Sequence, residues 1–213
     1  MQHTPSPQHI PVDLAPPGSD EDAARADLWG LLSLLFIAPP SAQALSQLAA
    51  APAASDVPDS ALQQAWCELQ RVAASVTPQQ VRDEFEALFG GTGRPAVYVY
   101  GSFYLAGALH EKPLARLRAD LAGIGLSRRI DLGESEDHFA VLAEIMRFLI
   151  AGDDPAVCTL TRQRDLFQRH IQPWGAQMCD AIEGDRTAQF YRALAGFTRE
   201  FLQVEQMAFD LLD

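Results

Sequence analysis

Leu132-Gly-Glu134-Ser-Glu136-Asp137-His138-Phe139-Ala-Val-Leu142-Ala143-Glu-Ile-Met146-Arg-Phe-Leu149-Ile150-Ala151 is the stretch on which the fold reading turns. Phe139, Leu142, Ala143, Met146, Leu149 and Ile150 recur three and four residues apart, the period of an amphipathic helix. Just ahead of them lies a dense cluster of ionisable groups beside a bulky apolar face. Glu134, Asp137 and His138 stand at i, i+3 and i+4, so on a helical turn they share one side. Two readings remain open. In the first, Glu134 or Ser135 caps the orphan N–H groups, and Glu136 and Asp137 sit at the positive end of the helix dipole. In the second the cluster binds a ligand. A metal is the weaker form of that reading, because no Cys-x-x-Cys or His-x-x-x-His accompanies the cluster.

Outward from this stretch the same period repeats. Leu28, Leu31, Leu32, Leu35 and Phe36 predict a helix over roughly 21–37, with Ser19 or Asp20 as its cap, stopped by Pro39-Pro40. Ser41 caps a short helix to about Ala50, and Ala51 to Pro58 forms a linker. Leu62, Trp66, Leu69 and Val72 mark the next helix. Thr77-Pro78 opens another, which holds Val81, Phe85, Leu88 and Phe89 and stops at Gly90-Gly91-Thr92-Gly93. Those glycines follow a helix rather than a strand and lack a Gly-Lys-Ser/Thr ending, so they read as a turn and not as a phosphate loop.

Lys112-Pro113 starts a helix that Gly123 and Gly125 end, and Ser127-Arg128-Arg129 reads as solvated loop charge. Gly152-Asp153-Asp154-Pro155 breaks and re-caps the chain, and the following helix closes before Pro173-Trp174. The last helix, with Asp185 as its expected N-cap, carries Phe190, Tyr191, Leu194, Phe197 and Phe201, and its apolar end from Met207 to Leu212 is expected to fold back on the body. Residues 1–19 hold five prolines among polar residues, at 5, 7, 11, 16 and 17, and read as a disordered tail. No repeat and no sustained alternation predicts a sheet, so the expected fold is an all-α single domain over 20–213.

With 213 residues and 48% hydrophobic content the chain can bury one ordinary core. A net charge of −12 argues against nucleic acid, which needs a positive patch, and favours a cationic partner. Cys67, Cys158 and Cys179 are odd in number and far apart, so neither a disulfide framework nor a zinc finger is suggested and a reducing compartment fits. The apolar run Leu28 to Ala38 follows Asp20-Glu-Asp22 and Asp27, the opposite of a signal peptide's basic start, and is too short to span a bilayer. A cytoplasmic protein without a membrane span is expected. No Gly-x-Ser-x-Gly, P-loop or zinc signature points to an enzyme or to a cofactor.

One patch, Pro95-Ala-Val-Tyr98-Val-Tyr100-Gly-Ser102-Phe103-Tyr104, has strand-like composition and holds three of the four tyrosines. Tyrosine pairs a large apolar body with a polar tip, which suits packing and peptide binding equally.

Taken together, Glu84-Phe-Glu-Ala-Leu-Phe89, Tyr100-Gly-Ser-Phe-Tyr104, Glu134-x-x-Asp137-His138 and Phe167-x-x-His170-Ile-x-Pro173-Trp174 resemble the TorD/DmsD/NarJ family of chaperones for molybdenum-containing oxidoreductases. Family members often have proline after the Glu of Glu-x-x-Asp-His; here Ser135 stands there. The resemblance covers about 22–212 in segment order. It implies a TorD-like bundle of roughly ten helices, monomeric or domain-swapped, that binds the twin-arginine signal peptide of an apo molybdoenzyme until its molybdopterin cofactor is inserted. Some members are linked to guanine nucleotides, but no motif here supports that. The implied site places Glu134 and Asp137 against the arginines. Tyr100, Phe103 and Tyr104, with Ser102 in the same segment, line the apolar part, and His138 orients the helix start or the peptide. His170, Pro173 and Trp174 read as structural. The alternative is a helical adaptor that grips the folded mature domain of its partner instead.

Overall fold

Local caps start two of the helices where the sequence puts them. Ser41 Oγ accepts from Ala44 N at 3.1 Å, and Thr77 and Gln80 form a reciprocal capping box ahead of Pro78. The computed structural model describes residues 21–52, 60–90, 94–127 and 133–211. Among these it forms ten helices and no strand. They are α1 (Glu21–Ile37), α2 (Ala42–Ala50), α3 (Ala61–Ser75), α4 (Pro78–Phe89), α5 (Gly101–Ala106), α6 (Lys112–Gly123), α7 (Phe139–Ala151), α8 (Leu160–His170), α9 (Gln172–Gly184) and α10 (Phe190–Asp210). The fold is all-α, as expected. The expected tail over 1–19, most of the linker 51–58, Gly91 to Gly93 and Arg128-Arg129 lie outside the described residues.

The bundle is centred on α1 and α7, which pack along each other. Trp29, Leu32, Leu35 and Phe36 of α1 and Phe139, Leu142, Met146 and Leu149 of α7 are buried, with Phe36 edge-on to Phe139 at 5.0 Å. Side chains of this size each contribute about 1.5–3 kcal/mol on full burial, so this seam, the most extensive between any two helices, holds a large part of the core. Around it, α10 packs against α9 and α3, and α3 against α2.

Five local expectations are corrected. The central helix has no acidic first turn: it begins at Phe139 with His138 as N-cap, and Glu134, Ser135 and Asp137 precede it. Helix α8 takes Thr159 as its cap, because Asp154 spends its backbone and carboxylate on a turn through Ala156, Val157 and Cys158. Asp185 likewise closes a turn onto Thr187 and ends α9 rather than starting α10; α10 follows Gln189, whose side chain makes no cap. At the other end of α10 only Phe209 folds in, while Met207 and Leu211 stay exposed.

The fifth correction concerns the strand-like patch. Tyr100 is extended and forms an isolated antiparallel bridge with His138, but the chain turns helical at Gly101. A Cβ at Gly101 would come within 2.9 Å of Trp174 Nε1, so the backbone can approach that ring only as glycine. Gly107, at φ 75°, ends α5 in the left-handed region.

Candidate functional site

The residues singled out by sequence converge at the start of α7. Phe139 N donates to Val99 O at 2.8 Å and Gly101 N to Asp137 O at 2.9 Å, which clamps the segment before α5 onto the segment before α7. Asp137, 3% exposed, turns inward: Oδ2 accepts from Ser102 N at 2.9 Å and Oδ1 from Ser135 Oγ at 2.5 Å. It therefore anchors the first turn of α5. Ser102 is fully buried, its Oγ accepting from His110 N at 3.2 Å. Tyr100 meets Glu134 directly, its hydroxyl donating to Glu134 Oε2. Burial, then the Glu134 carboxylate, raises the Tyr100 pKa well above its ordinary value, so the phenol stays protonated as the donor.

His138 is buried, and its Nδ1 accepts from Ala140 N at 3.1 Å, which places the ring proton on Nε2. Burial pushes its pKa down to about 4, against the opposing pull of Glu134 and Asp137. A folded-state value below the ordinary 6.5 means that the unfolded chain binds the proton more readily. Stability is therefore unaffected above about pH 7 and falls as pH drops from 6.5 toward 4, at up to about 1.4 kcal/mol per pH unit. Asparagine keeps a cap acceptor but does not titrate there, so His138→Asn is expected to flatten thermal midpoints measured across that window.

Phe103 and Tyr104 face elsewhere. Phe103 stacks on Tyr98 with centroids 3.9 Å apart; Tyr104 stacks on Trp174 at 5.5 Å and donates its hydroxyl proton to Tyr98 O at 2.7 Å. Trp174 Nε1 in turn donates to His170 O at 2.6 Å. Three of the four segments thus meet around Trp174, and the fourth joins through Leu88 O, which accepts from Val97 N at 2.9 Å.

The apolar wall beside Glu134 is instead a groove of about 350 Å³ between α1, α7 and the end of α6. Val141, Ile145 and Phe148 of α7 line it with Ile37 and Leu126, and Glu134, Glu136 and Glu144 stand at its edge. Ile37 and Phe148 are 42% and 37% exposed, so the groove opens to solvent. Glu136 is neutralised by Arg118, bound at 2.8–3.1 Å, and Glu144 by Arg147 at 2.6 Å. Glu134 has no cation among the described residues. Sequence reasoning missed this wall. The signal was present: Val141, Ile145 and Phe148 form a second apolar stripe on α7, outside the one that fills the core. Among the described residues, no cluster of three or more His, Cys, Asp or Glu is arranged to hold a metal, and no helix is long and apolar enough to cross a membrane.

Comparison with known proteins agrees with this assembly. A crystal structure of a candidate redox enzyme maturation protein from Archaeoglobus fulgidus superposes with a TM-score of 0.53 over 85% of this chain and 93% of that one, at 19% identity, a likeness in fold. An uncharacterized protein of Haemophilus influenzae is 36% identical over 77 residues, 36% of this chain and 40% of that protein's length. The profile of the nitrate reductase delta subunit family matches residues 55–180, which include the Tyr100, Glu134–His138 and Trp174 segments. By that match the chain belongs to the nitrate reductase delta subunit family, the NarJ/TorD-like chaperones.

Proposed function

We propose that this chaperone acts in the cytoplasm on the apo form of a molybdopterin-dependent oxidoreductase subunit, and that it binds the subunit's twin-arginine signal peptide in the α1–α7 groove. The observation that carries the reading is Glu134, an anion without a cationic partner among the described residues, held by Tyr100 at the edge of an open apolar groove. A twin-arginine signal peptide joins two guanidinium groups to an apolar helix-forming stretch, and carboxylate beside apolar wall is its complement. Glu134 Oε1 is left to accept an arginine fork while Oε2 holds the tyrosine. Asp137 and His138, being buried, position Glu134 and the helix start and do not touch the peptide. Phe148 and Ile145 take the apolar stretch. Holding that stretch keeps the subunit from export until its cofactor is in place.

A charge-assisted contact of this half-buried kind is worth about 1.5–3 kcal/mol, and tenfold in affinity is about 1.4 kcal/mol. Titration calorimetry with a twin-arginine peptide is therefore expected to show Glu134→Ala binding at least about tenfold more weakly and Phe148→Ala also weakened, both in variants that remain folded by circular dichroism. Asp137→Asn is expected to lower the midpoint instead. Unchanged affinity in folded Glu134→Ala removes Glu134 from the site. If a carrier fused to the peptide is ignored and only the apoenzyme is retained, recognition lies on the mature domain.

A further inference from the structure

We propose that the trough between α6 and the α8–α9 corner is a second docking surface, and that it takes an acidic, apolar-bearing segment of a protein partner. This goes beyond the signal-peptide reading and does not rest on it. Two adjoining hollows of about 700 and 280 Å³ make up the trough and share Ala119, Asp120, Arg169 and His170. Its outer walls include Leu105, 43% exposed, with Pro113 and Pro173.

The charge here runs against that of the whole chain. In a protein of net charge −12, the trough is lined by three arginines, Arg116, Arg162 and Arg169, against two carboxylates, Asp120 and Asp165. Those two carboxylates are already engaged. Asp120 lies 2.8 Å from His170 Nε2 and 3.7 Å from Arg169, and Asp165 lies 3.9 Å from Arg169. Arg116 has no ion pair among the described residues. Arg162, which lines the smaller hollow, has its Nη1 enclosed without a hydrogen-bond partner among the described residues.

An enclosed guanidinium donor is costly to leave unmet, and a carboxylate accepts from it in a fork. A free inorganic anion would meet the arginines but leave Leu105, Pro113 and Pro173 wet. A peptide segment with acidic and apolar side chains covers both, reaching Arg162 and Arg116 with carboxylates while its apolar groups lie on the prolines and leucine. A cationic signal peptide is repelled here, so the two grooves sort their occupants by charge.

The test is fluorescence anisotropy with the full chain and a labelled peptide of alternating Glu and Leu, beside a twin with Lys for Glu. The acidic peptide is expected to bind, more weakly as salt rises, and the basic twin to bind at least about tenfold less tightly at this surface. Arg116→Glu, on an exposed residue, and Arg162→Gln are each expected to weaken the acidic peptide about tenfold while leaving twin-arginine peptide binding unchanged. If Arg162→Gln does not fold, Arg116→Glu decides. No binding of the acidic peptide overturns the proposal, as does binding indifferent to Arg116→Glu. Displacement of the peptide by inorganic phosphate at equal concentration makes this a small-anion site and also overturns it.

Discussion

Arg25→Ala is expected to lower the unfolding free energy by about 3–5 kcal/mol, read as a drop in urea midpoint and in melting temperature. Arg25 grips Glu205 with two bonds, Nε to Oε1 at 2.7 Å and Nη2 to Oε2 at 3.0 Å, and Trp29 Nε1 adds a third to Oε2 at 3.1 Å. Glu205 is 1% exposed near the C-terminal end of α10, so without the arginine its buried charge keeps only the Trp29 bond. The desolvation term then dominates, because the Coulomb attraction that offset it is gone while the burial remains. Arg25→Met combined with Glu205→Leu is expected to cost less than Arg25→Ala alone, since apolar side chains of similar size leave no charge behind. If the double exchange is as damaging as the two single costs added, the pair is held by packing and not by charge. The Glu68–Arg71 pair, at 2.6 Å but solvated, is the control, and its removal is expected to leave the midpoint unchanged.

Glu205 also shows where reading the sequence stops. Helix starts set by neighbours were legible: Ser41 and the Thr77-Pro78 pair act on residues two or three positions away, and α2, α4 and, after Lys112-Pro113, α6 begin where such local signals put them. The bundle class was legible from period alone. What failed were ends fixed from afar. Asp185 is a good cap by type, but a carboxylate from α4 occupies the start of α10, and nothing within a few residues announces it. The site was legible to a similar depth. Segment order brought Tyr100, Glu134 and Asp137 together, and the structure joins them. Which of them face solvent was not legible, because Asp137 and His138 are polar residues buried by the bridge between Tyr100 and His138, a tertiary pairing. The groove's apolar wall went unread because a helix apolar on two sides looks, in sequence, like one with a wide core face.

The carboxylate at the start of α10 belongs to Glu84, and Glu84→Ala is expected to cost about 3 kcal/mol. Its Oε1 accepts from Gln189 N at 2.8 Å and Tyr191 N at 2.7 Å, and its Oε2 from Phe190 N at 3.0 Å. A single side chain thus serves three donors at the positive end of a 21-residue helix whose own N-cap side chain makes no bond. Charged bonds of this kind run about 1.5–3 kcal/mol each but share one carboxylate, so the loss falls well below their sum. Glu84→Gln keeps one acceptor and turns an amide toward a backbone N–H, so it is expected to lie between wild type and alanine. Amide exchange at Phe190 and Tyr191 is expected to quicken in both variants before exchange elsewhere in α10 does. Exchange rising evenly along the helix would mean that Glu84 acts through general packing of α4. Because Val97 hangs from Leu88 on the same helix, α4 also carries the segment that bridges to His138. Below the melting transition that link stays intact, so the proposed binding of a twin-arginine peptide is expected to stay within about twofold of wild type in Glu84→Ala even as the midpoint falls by roughly 6–12 °C.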